Sequence, residues 1–348
     1  MESKLTLIDT IFAPSSGSGK AGVTVLRISG PNSGYALESL CGALPVPRKA
    51  VLRKLRSPVD GDLLDQALVL WFPGPGSFTG EDVVELHVHG GLAVVDAVVG
   101  ALSGLDGLRL AQSGEFTRRA FEAGKLDLSS VEGLADLINA RTDAQRRLAL
   151  RDASGGLAAA CESWRNELLR SLAMIEANID FVDEQDVPDD LLPAELPGLI
   201  RIRKEMRDWT KEGNRGEILR SGFRVVIAGL PNVGKSSLLN AFSGRDAAIV
   251  TDVAGTTRDV IEVFMDLNGF PVVLADTAGL RQSEDVVERI GVEAAVGRLQ
   301  QAELIVWVSD ERGQWPEESK MRFDSETLWV RNKADLYSDD TFPATVRI

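Results

Sequence analysis

The stretch Gly229-Leu230-Pro231-Asn232-Val233-Gly234-Lys235-Ser236-Ser237 constrains this chain more than any other. It fits G-x-x-x-x-G-K-S/T, a pattern in which a glycine-rich turn points backbone N–H groups at phosphate oxygens. Phe223-Arg-Val-Val-Ile-Ala228 before it is apolar and β-branched, as a buried strand is. Ser237-Leu-Leu-Asn-Ala-Phe after it reads as a helix opening, whose N-terminus adds partial positive charge. In such a loop Lys235 reaches the β- and γ-phosphates, and the Ser236 hydroxyl binds Mg²⁺. A chance glycine turn is the plain alternative, and the strand–loop–helix setting argues against it.

A chain of 348 residues exceeds one typical domain, so two or three are expected. A net charge of -14 makes nucleic-acid binding dependent on a local basic patch. The two cysteines, Cys41 and Cys161, lie far apart without a metal-ligand pattern, which fits a reducing compartment. No apolar run approaches a membrane span, and Asp9 interrupts the apolar stretch near Lys4 that a signal peptide needs. A cytoplasmic location is expected.

Residues 1–124 read as mixed α/β. Gly22–Gly30, Gln66–Phe72 and Asp82–His89 are predicted strands, and Gly91–Leu102 a helix. In the third strand Val83, Glu85, His87 and His89 share one face, which reads as a hydrogen-bonded polar face before it reads as a metal site. Around Lys125 the apolar period changes to 3.6. Ser129-Ser-Val-Glu132 matches a capping box, and Leu157, Cys161, Trp164, Leu168, Leu172, Ile175 and Ile179 form a bundle seam. Leu199, Ile202, Met206 and Trp209 mark a third helix, so 125–215 is a helical layer. Arg118, Arg119, Arg141, Arg146, Arg147 and Arg151 read as a solvated helix face, with a nucleic-acid patch as the sharper alternative. Gly213–Gly222 reads as a linker. Beyond it, Asn268-Gly269 predicts a hairpin between strands 260–267 and 271–275, and 285–300 reads as helix. Leu304–Val308 and Thr327–Val330 are further buried strands, so 216–348 is a mostly parallel sheet with ligand at its carboxyl ends.

Three elements follow the phosphate loop in the order that phosphate chemistry places them. Gly255-Thr256-Thr257-Arg258-Asp259 lies in a polar loop that can close on Mg²⁺ and the γ-phosphate. Asp276-Thr277-Ala278-Gly279 ends a strand, where a carboxylate holds Mg²⁺ through water and a glycine N–H meets the γ-phosphate. In Asn332-Lys333-Ala334-Asp335 the last carboxylate accepts from both guanine's ring N–H and its exocyclic amine, which selects GTP over ATP. Leu280 stands where related GTPases carry a water-orienting Gln, so another group must position the nucleophile.

These residues, with Asp9–Ala13, Leu26-Arg-Ile-Ser-Gly30, Phe78-Thr-Gly-Glu-Asp82, His89-Gly-Gly91, Gly114-Glu-Phe116, Lys125-Leu-Asp-Leu128 and Ile249–Asp259, resemble the bacterial tRNA-modification GTPases called MnmE or TrmE. The resemblance implies an α/β multidomain chain. Its parts are an N-terminal α+β folate-binding-like, dimerising domain (1–124), an α-helical middle domain (125–215) and an inserted Ras-like P-loop GTPase domain (216–348, incomplete). It places folate contacts on Arg27, Glu85 and Lys125, with formyl- or methylene-tetrahydrofolate as one-carbon donor. It extends GTP contacts over Asn232, Val233, Gly234, Lys235, Ser236 and Ser237 and over Thr251, Asp252, Val253, Ala254, Gly255 and Thr256. Asp276, Thr277, Ala278, Gly279, Asn332, Lys333, Ala334 and Asp335 complete that set. Mg²⁺ falls to Ser236 and Thr257. An activating K⁺ falls to Asn232, Thr251, Val253 and Thr256. Glu288, in Val287-Glu-Arg-Ile-Gly291, becomes the candidate for positioning the attacking water beside Lys235. The implied role is carboxymethylaminomethyl addition to the wobble uridine of tRNA as a homodimer, with the flavin- and NADH-dependent partner MnmG.

The chain runs thirteen residues past Asp335, where the family continues with an S-A-K-like guanine loop, further helices and a terminal C-x-G-K. The expectation is an under-covered Leu157–Ile179 seam, weakened guanine affinity, low solubility and no full tRNA-modifying activity. Alternatives are a ribosome-assembly-type GTPase switch, a folate-dependent aminomethyltransferase with an appended GTPase, and a non-functional fragment.

Overall fold

The computed structural model describes residues 9–17, 19–180, 192–229, 232–243, 248–249, 262–276, 299–310, 326–336 and 346–347. The chain divides into two compact units, 1–131 and 132–348.

The first unit is a six-stranded sheet in the order β3-β4-β5-β2-β1-β6. The strands are β1 (Thr10–Pro14), β2 (Ala21–Ser29), β3 (Val51–Arg56), β4 (Leu63–Phe72), β5 (Val83–Gly90) and β6 (Leu108–Leu110). All described pairings are antiparallel except β1 with β6. Period-2 alternation gives β2 and β5 two unlike faces. Leu26, Ile28, Val84, Leu86 and Val88 are buried with Leu37 and Leu40 of α1 (Ser33–Cys41) and Val98 and Leu102 of α2 (Leu92–Ser103). The opposite face carries Arg27, Ser29, Glu85 and His87, directly paired as Arg27↔Glu85. α3 (Glu115–Glu122) follows β6. The sequence reading found β2, β4, β5 and α2 but not β1, β3, β6, α1 or α3. In β3 the run Val-Leu-Arg-Lys-Leu-Arg breaks alternation, and its charges suit an edge strand.

The second unit begins within α4 (Leu128–Asn139). Its expected capping box does not form. Asp127 caps the helix instead, its Oδ1 accepting from Ser130 N–H at 2.8 Å, because one carboxylate there also takes the Ser129 hydroxyl. A true capping box stands at α5 (Asp143–Ala153), where Thr142 and Gln145 bond reciprocally. α6 (Gly156–Asp180) and α7 (Leu192–Ser221) pack through Trp164 and Trp209, edge to face at 6.1 Å. The seam is only partly covered among the described residues: Leu168, Leu172 and Ile179 are 40%, 50% and 67% exposed. The expected linker at 213–222 is helix as far as Ser221. Arg220 anchors that last turn on Asp136 and Asp152, at 2.6 and 2.9 Å, which is why glycine at 213 and 216 does not break it.

The second sheet runs β13-β12-β11-β7-β10-β9-β8. Its strands are β7 (Phe223–Ala228), β8 (Ala248–Ile249), β9 (Glu262–Leu267), β10 (Phe270–Asp276), β11 (Leu304–Ser309), β12 (Glu326–Arg331) and β13 (Val346–Arg347). β7 lies between β10 and β11, parallel to both, and is buried on both faces, hence its unbroken apolar run. β9 and β10 form the predicted hairpin. Asn268 and Gly269 take φ of +53° and +89°, the left-handed pair of a type I′ turn.

Candidate functional site

β7 aims the phosphate loop at the carboxyl edge of the parallel strands, and α8 (Lys235–Ser243) leads away from it. Gly229 and Gly234 hold φ of +146° and +98°. A Cβ on Gly229 would lie 2.1 Å from Val308 O, and one on Gly234 2.1 Å from Asn332 Nδ2. Both positions therefore exclude any side chain. Asn232, at φ +65°, takes the left-handed conformation that asparagine tolerates. Lys235 is 7% exposed, and its Nζ donates to Gly229 O at 2.9 Å, closing the loop on itself. Val233 is buried, while Ser236 and Ser237 are exposed at the helix opening, where a hydroxyl can meet a cation.

The guanine-motif residues meet this loop directly. Asn332 Nδ2 donates to Val233 O at 2.8 Å, and its Oδ1 accepts from Lys333 N–H at 2.8 Å. Lys333, at φ +55°, sends Nζ to Asp310 and to Asn232 O at 3.4 Å. Ala334 and Asp335 open a 3-10 turn that leaves Asp335 exposed. Asp276 ends β10 beside Ile227, at the same sheet edge. The loop, Asp276 and Asn332–Asp335 are thus gathered as the motif order predicts. That Asn332 braces the phosphate loop was not foreseen, since spacing alone does not show an amide reaching 99 residues back. Thr251, Asp252, Val253, Ala254, Gly255, Thr256, Thr257, Thr277, Ala278, Gly279, Leu280 and Glu288 lie outside the described residues.

A second constellation lies on the polar face of the first sheet. Arg27 Nε and Nη2 donate to Glu85 Oε1 at 3.1 and 2.7 Å. The guanidinium carbon lies 5.2 Å from the Phe78 ring centre and 5.8 Å from that of Phe116, a double cation–π setting. Its remaining N–H groups have no partner among the described residues, which leaves an edge free for an anion. Lys125 is exposed, its Cε 3.4 Å from where a Gly80 side chain would stand, so it flanks the loop carrying Phe78. Glu85 keeps Oε2 for another donor; His87 Nε2 lies 3.5 Å from it. His89 Nδ1 pairs with Asp65 at 2.7 Å, and two bonds from His89 outweigh burial to hold the Asp65 carboxyl below its usual range. His89 thus serves hydrogen bonds, whereas His87 Nε2 is buried without one, and no three-ligand metal cluster occurs among the described residues.

Phe78, Glu81 and Phe116 stood only within family-like stretches, without a role, and Arg119, expected on a solvated helix face, is instead 12% exposed and paired with Glu81 and Glu115. The six arginines form no unpaired patch. Arg118 and Arg119 pair with Glu115, Arg146 and Arg147 with Asp143, and Arg151 lies near Asp152 and Glu212. Arg141 lies 5.0 Å from the Phe264 ring centre.

Residues 10–125 match the family described as GTP-binding protein TrmE N-terminus, and 128–340 match the MnmE helical domain. A tRNA modification GTPase MnmE of Roseobacter denitrificans is 56% identical over 88% of this chain and 71% of its own length. One from Methylorubrum populi is 52% identical over 95% of this chain and 74% of its own. A mitochondrial 5-taurinomethyluridine-tRNA synthase subunit of Danio rerio is 53% identical over 87% of this chain and 60% of its own. No helix among the described residues is long and apolar enough to cross a membrane.

Proposed function

The chain belongs to the MnmE family of tRNA modification GTPases, and from that premise we propose that it hydrolyses GTP at the Gly229–Ser236 loop in the service of tRNA wobble-uridine modification. The observation that carries this is the Asn332 bond to Val233 O, which ties a guanine-selective motif to a phosphate cradle at one sheet edge. Base and phosphates of one nucleotide would be read together there.

Of the residues implied as metal ligands, Ser236 and Asn232 are among those described, and their exposure supports the reading. Ser236, exposed in the first helical turn, offers its hydroxyl to Mg²⁺, with Thr257 as the second ligand. Mg²⁺ would neutralise charge building on the phosphates. Asn232 is exposed at the loop crest, where its side chain would join Thr251, Val253 and Thr256 around K⁺. Lys235 would bind the β- and γ-phosphates by exchanging its bond to Gly229 O for theirs, and Glu288 would orient the water that Leu280 cannot. Thr251–Thr256 and Thr277–Gly279 would close over the nucleotide.

Arg27, Glu85 and Lys125 would bind the formyl- or methylene-tetrahydrofolate donor, cations to its carboxylates and a carboxylate to its pterin donors. Residues 1–124 would dimerise, 125–215 would carry the helical layer, and 216–348 the GTPase. The flavin- and NADH-dependent MnmG would share the uridine chemistry, in the cytoplasm. GTP hydrolysis by the purified chain is expected to be at least about tenfold faster in K⁺ than in Na⁺, a floor well below the roughly 10³-fold or more that a cation on the transition-state charge contributes. Equal rates would remove the potassium assignment, and no hydrolysis in either salt would remove the enzymatic one.

A further inference from the structure

We propose that Glu81 and Arg119 are positioning residues for Arg27, latching together the two elements whose rings flank its guanidinium. The proposal rests on the reading of Arg27 as a folate-carboxylate ligand. Phe78 belongs to the loop between β4 and β5, and Phe116 to α3; in sequence they are far apart. Arg119 Nη1 joins the two elements by donating to both Glu81 oxygens at 3.1 Å. The same carboxylate is tied to the strand bearing Arg27: Ser29 Oγ, fully buried, donates to Glu81 Oε2 at 2.7 Å. With its proton spent there, Ser29 Oγ accepts from Thr79 Oγ1 at 2.7 Å, which binds the loop a second time next to Phe78.

Strand, loop and helix thus meet at one carboxylate whose strand partner lies two residues from Arg27, on its own face. The Arg119 side chain is only 12% exposed. A pair so buried adds little net stability against an apolar replacement, but it fixes geometry. What it fixes here is a guanidinium clasped between two rings and pinned along one edge by Glu85, with the opposite edge presented to an anion. Freed from the latch, loop and helix would let the rings part, and the guanidinium would lose its single orientation.

The test titrates formyltetrahydrofolate into the full chain by calorimetry, using Glu81→Gln, Ser29→Ala, Arg27→Ala and the Glu81→Gln/Arg27→Ala double variant. Glu81→Gln is expected to weaken binding about tenfold and Ser29→Ala about threefold, with the Glu81 effect vanishing in the double variant because it acts through Arg27. Where Arg27→Ala itself weakens binding, additive losses, or wild-type affinity in Glu81→Gln and Ser29→Ala, overturn the positioning. A second reading needs no ligand: solvent exchange of the Arg27 Nε–H, followed by nuclear magnetic resonance, should accelerate in Glu81→Gln, and an unchanged rate overturns the proposal. Wild-type affinity in Arg27→Ala with accelerated exchange in Glu81→Gln would remove the folate reading while leaving the latch in place.

Discussion

Single residues in this protein are constrained mostly by what their neighbours already occupy. Gly234 illustrates this, since a methyl group there would collide with the Asn332 amide and the backbone holds φ +98°. Gly234→Ala is expected to cost on the order of 1–3 kcal/mol and to lower GTP affinity at least about tenfold, measured by melting and by nucleotide titration. Glu115 shows the electrostatic version. Arg109 grips it with bonds of 2.6 and 2.9 Å, burial opposes ionisation, and Gln112 N–H adds a bond at 2.8 Å. The carboxyl is held down to about 2, from 4.5. A folded value below the unfolded one means the stabilisation is complete above about pH 4.5 and is lost as pH falls toward 2. Glu115→Gln should therefore destabilise the chain by about 2 kcal/mol at pH 7, and the gap from wild type should shrink by pH 3 in urea titrations. Neither constraint was legible in the sequence. The glycine pattern showed that turns were needed, but not that an amide from the guanine motif fills the space, and no helix was legible around Glu115, let alone its partners.

At the scale of elements, strands with a period of 2, a recognisable turn and both ends of α2 are legible in the sequence, whereas the start of α4 and the C-terminal end of α7 are not. The β9–β10 hairpin followed from Asn268-Gly269 because only a left-handed pair matches strand twist there. The helix starts at 128 and 143 were harder. Ser129 and Glu132 have the spacing of a capping box, yet Asp127, two residues before Ser129, supplies a stronger acceptor and takes the role. Thr142 and Gln145 make the real one, and that box carries more than its own helix: Ala144 N–H, in the same turn, donates to Gly269 O at the hairpin tip at 3.1 Å. Thr142→Ala is expected to cost about 1 kcal/mol of stability. It should also raise hydrogen exchange at the tip amides, and unaltered exchange there would uncouple cap from hairpin.

Across the whole molecule, apolar surface is the feature that most affects behaviour. Leu157, Leu168, Leu172 and Ile179 stay exposed on α6 among the described residues, where seam spacing leads one to expect burial, and Leu196 and Ile200 of α7 are exposed as well. Such a stripe binds hydrophobic dyes and promotes association. Leu172→Gln with Ile179→Gln should lower anilinonaphthalene sulfonate fluorescence at least about twofold with little change in melting temperature, because neither side chain has much burial to lose. A drop of several degrees would mean that these residues are structural. The phosphate loop, the order of the nucleotide motifs and five of the second sheet's strands, all but the two-residue β8 and β13, were legible in the residues alone, because each is a local demand: a turn only glycine can make, or an apolar run only a core can hold. Which polar groups meet is settled only when the chain has folded. Asn332 on Val233, Arg119 on Glu81 and Arg27 between Phe78 and Phe116 join residues that lie 99, 38, 51 and 89 positions apart. Long-range pairs of this kind leave no periodic trace in a single chain, since their geometry exists only once strands, loops and helices have packed.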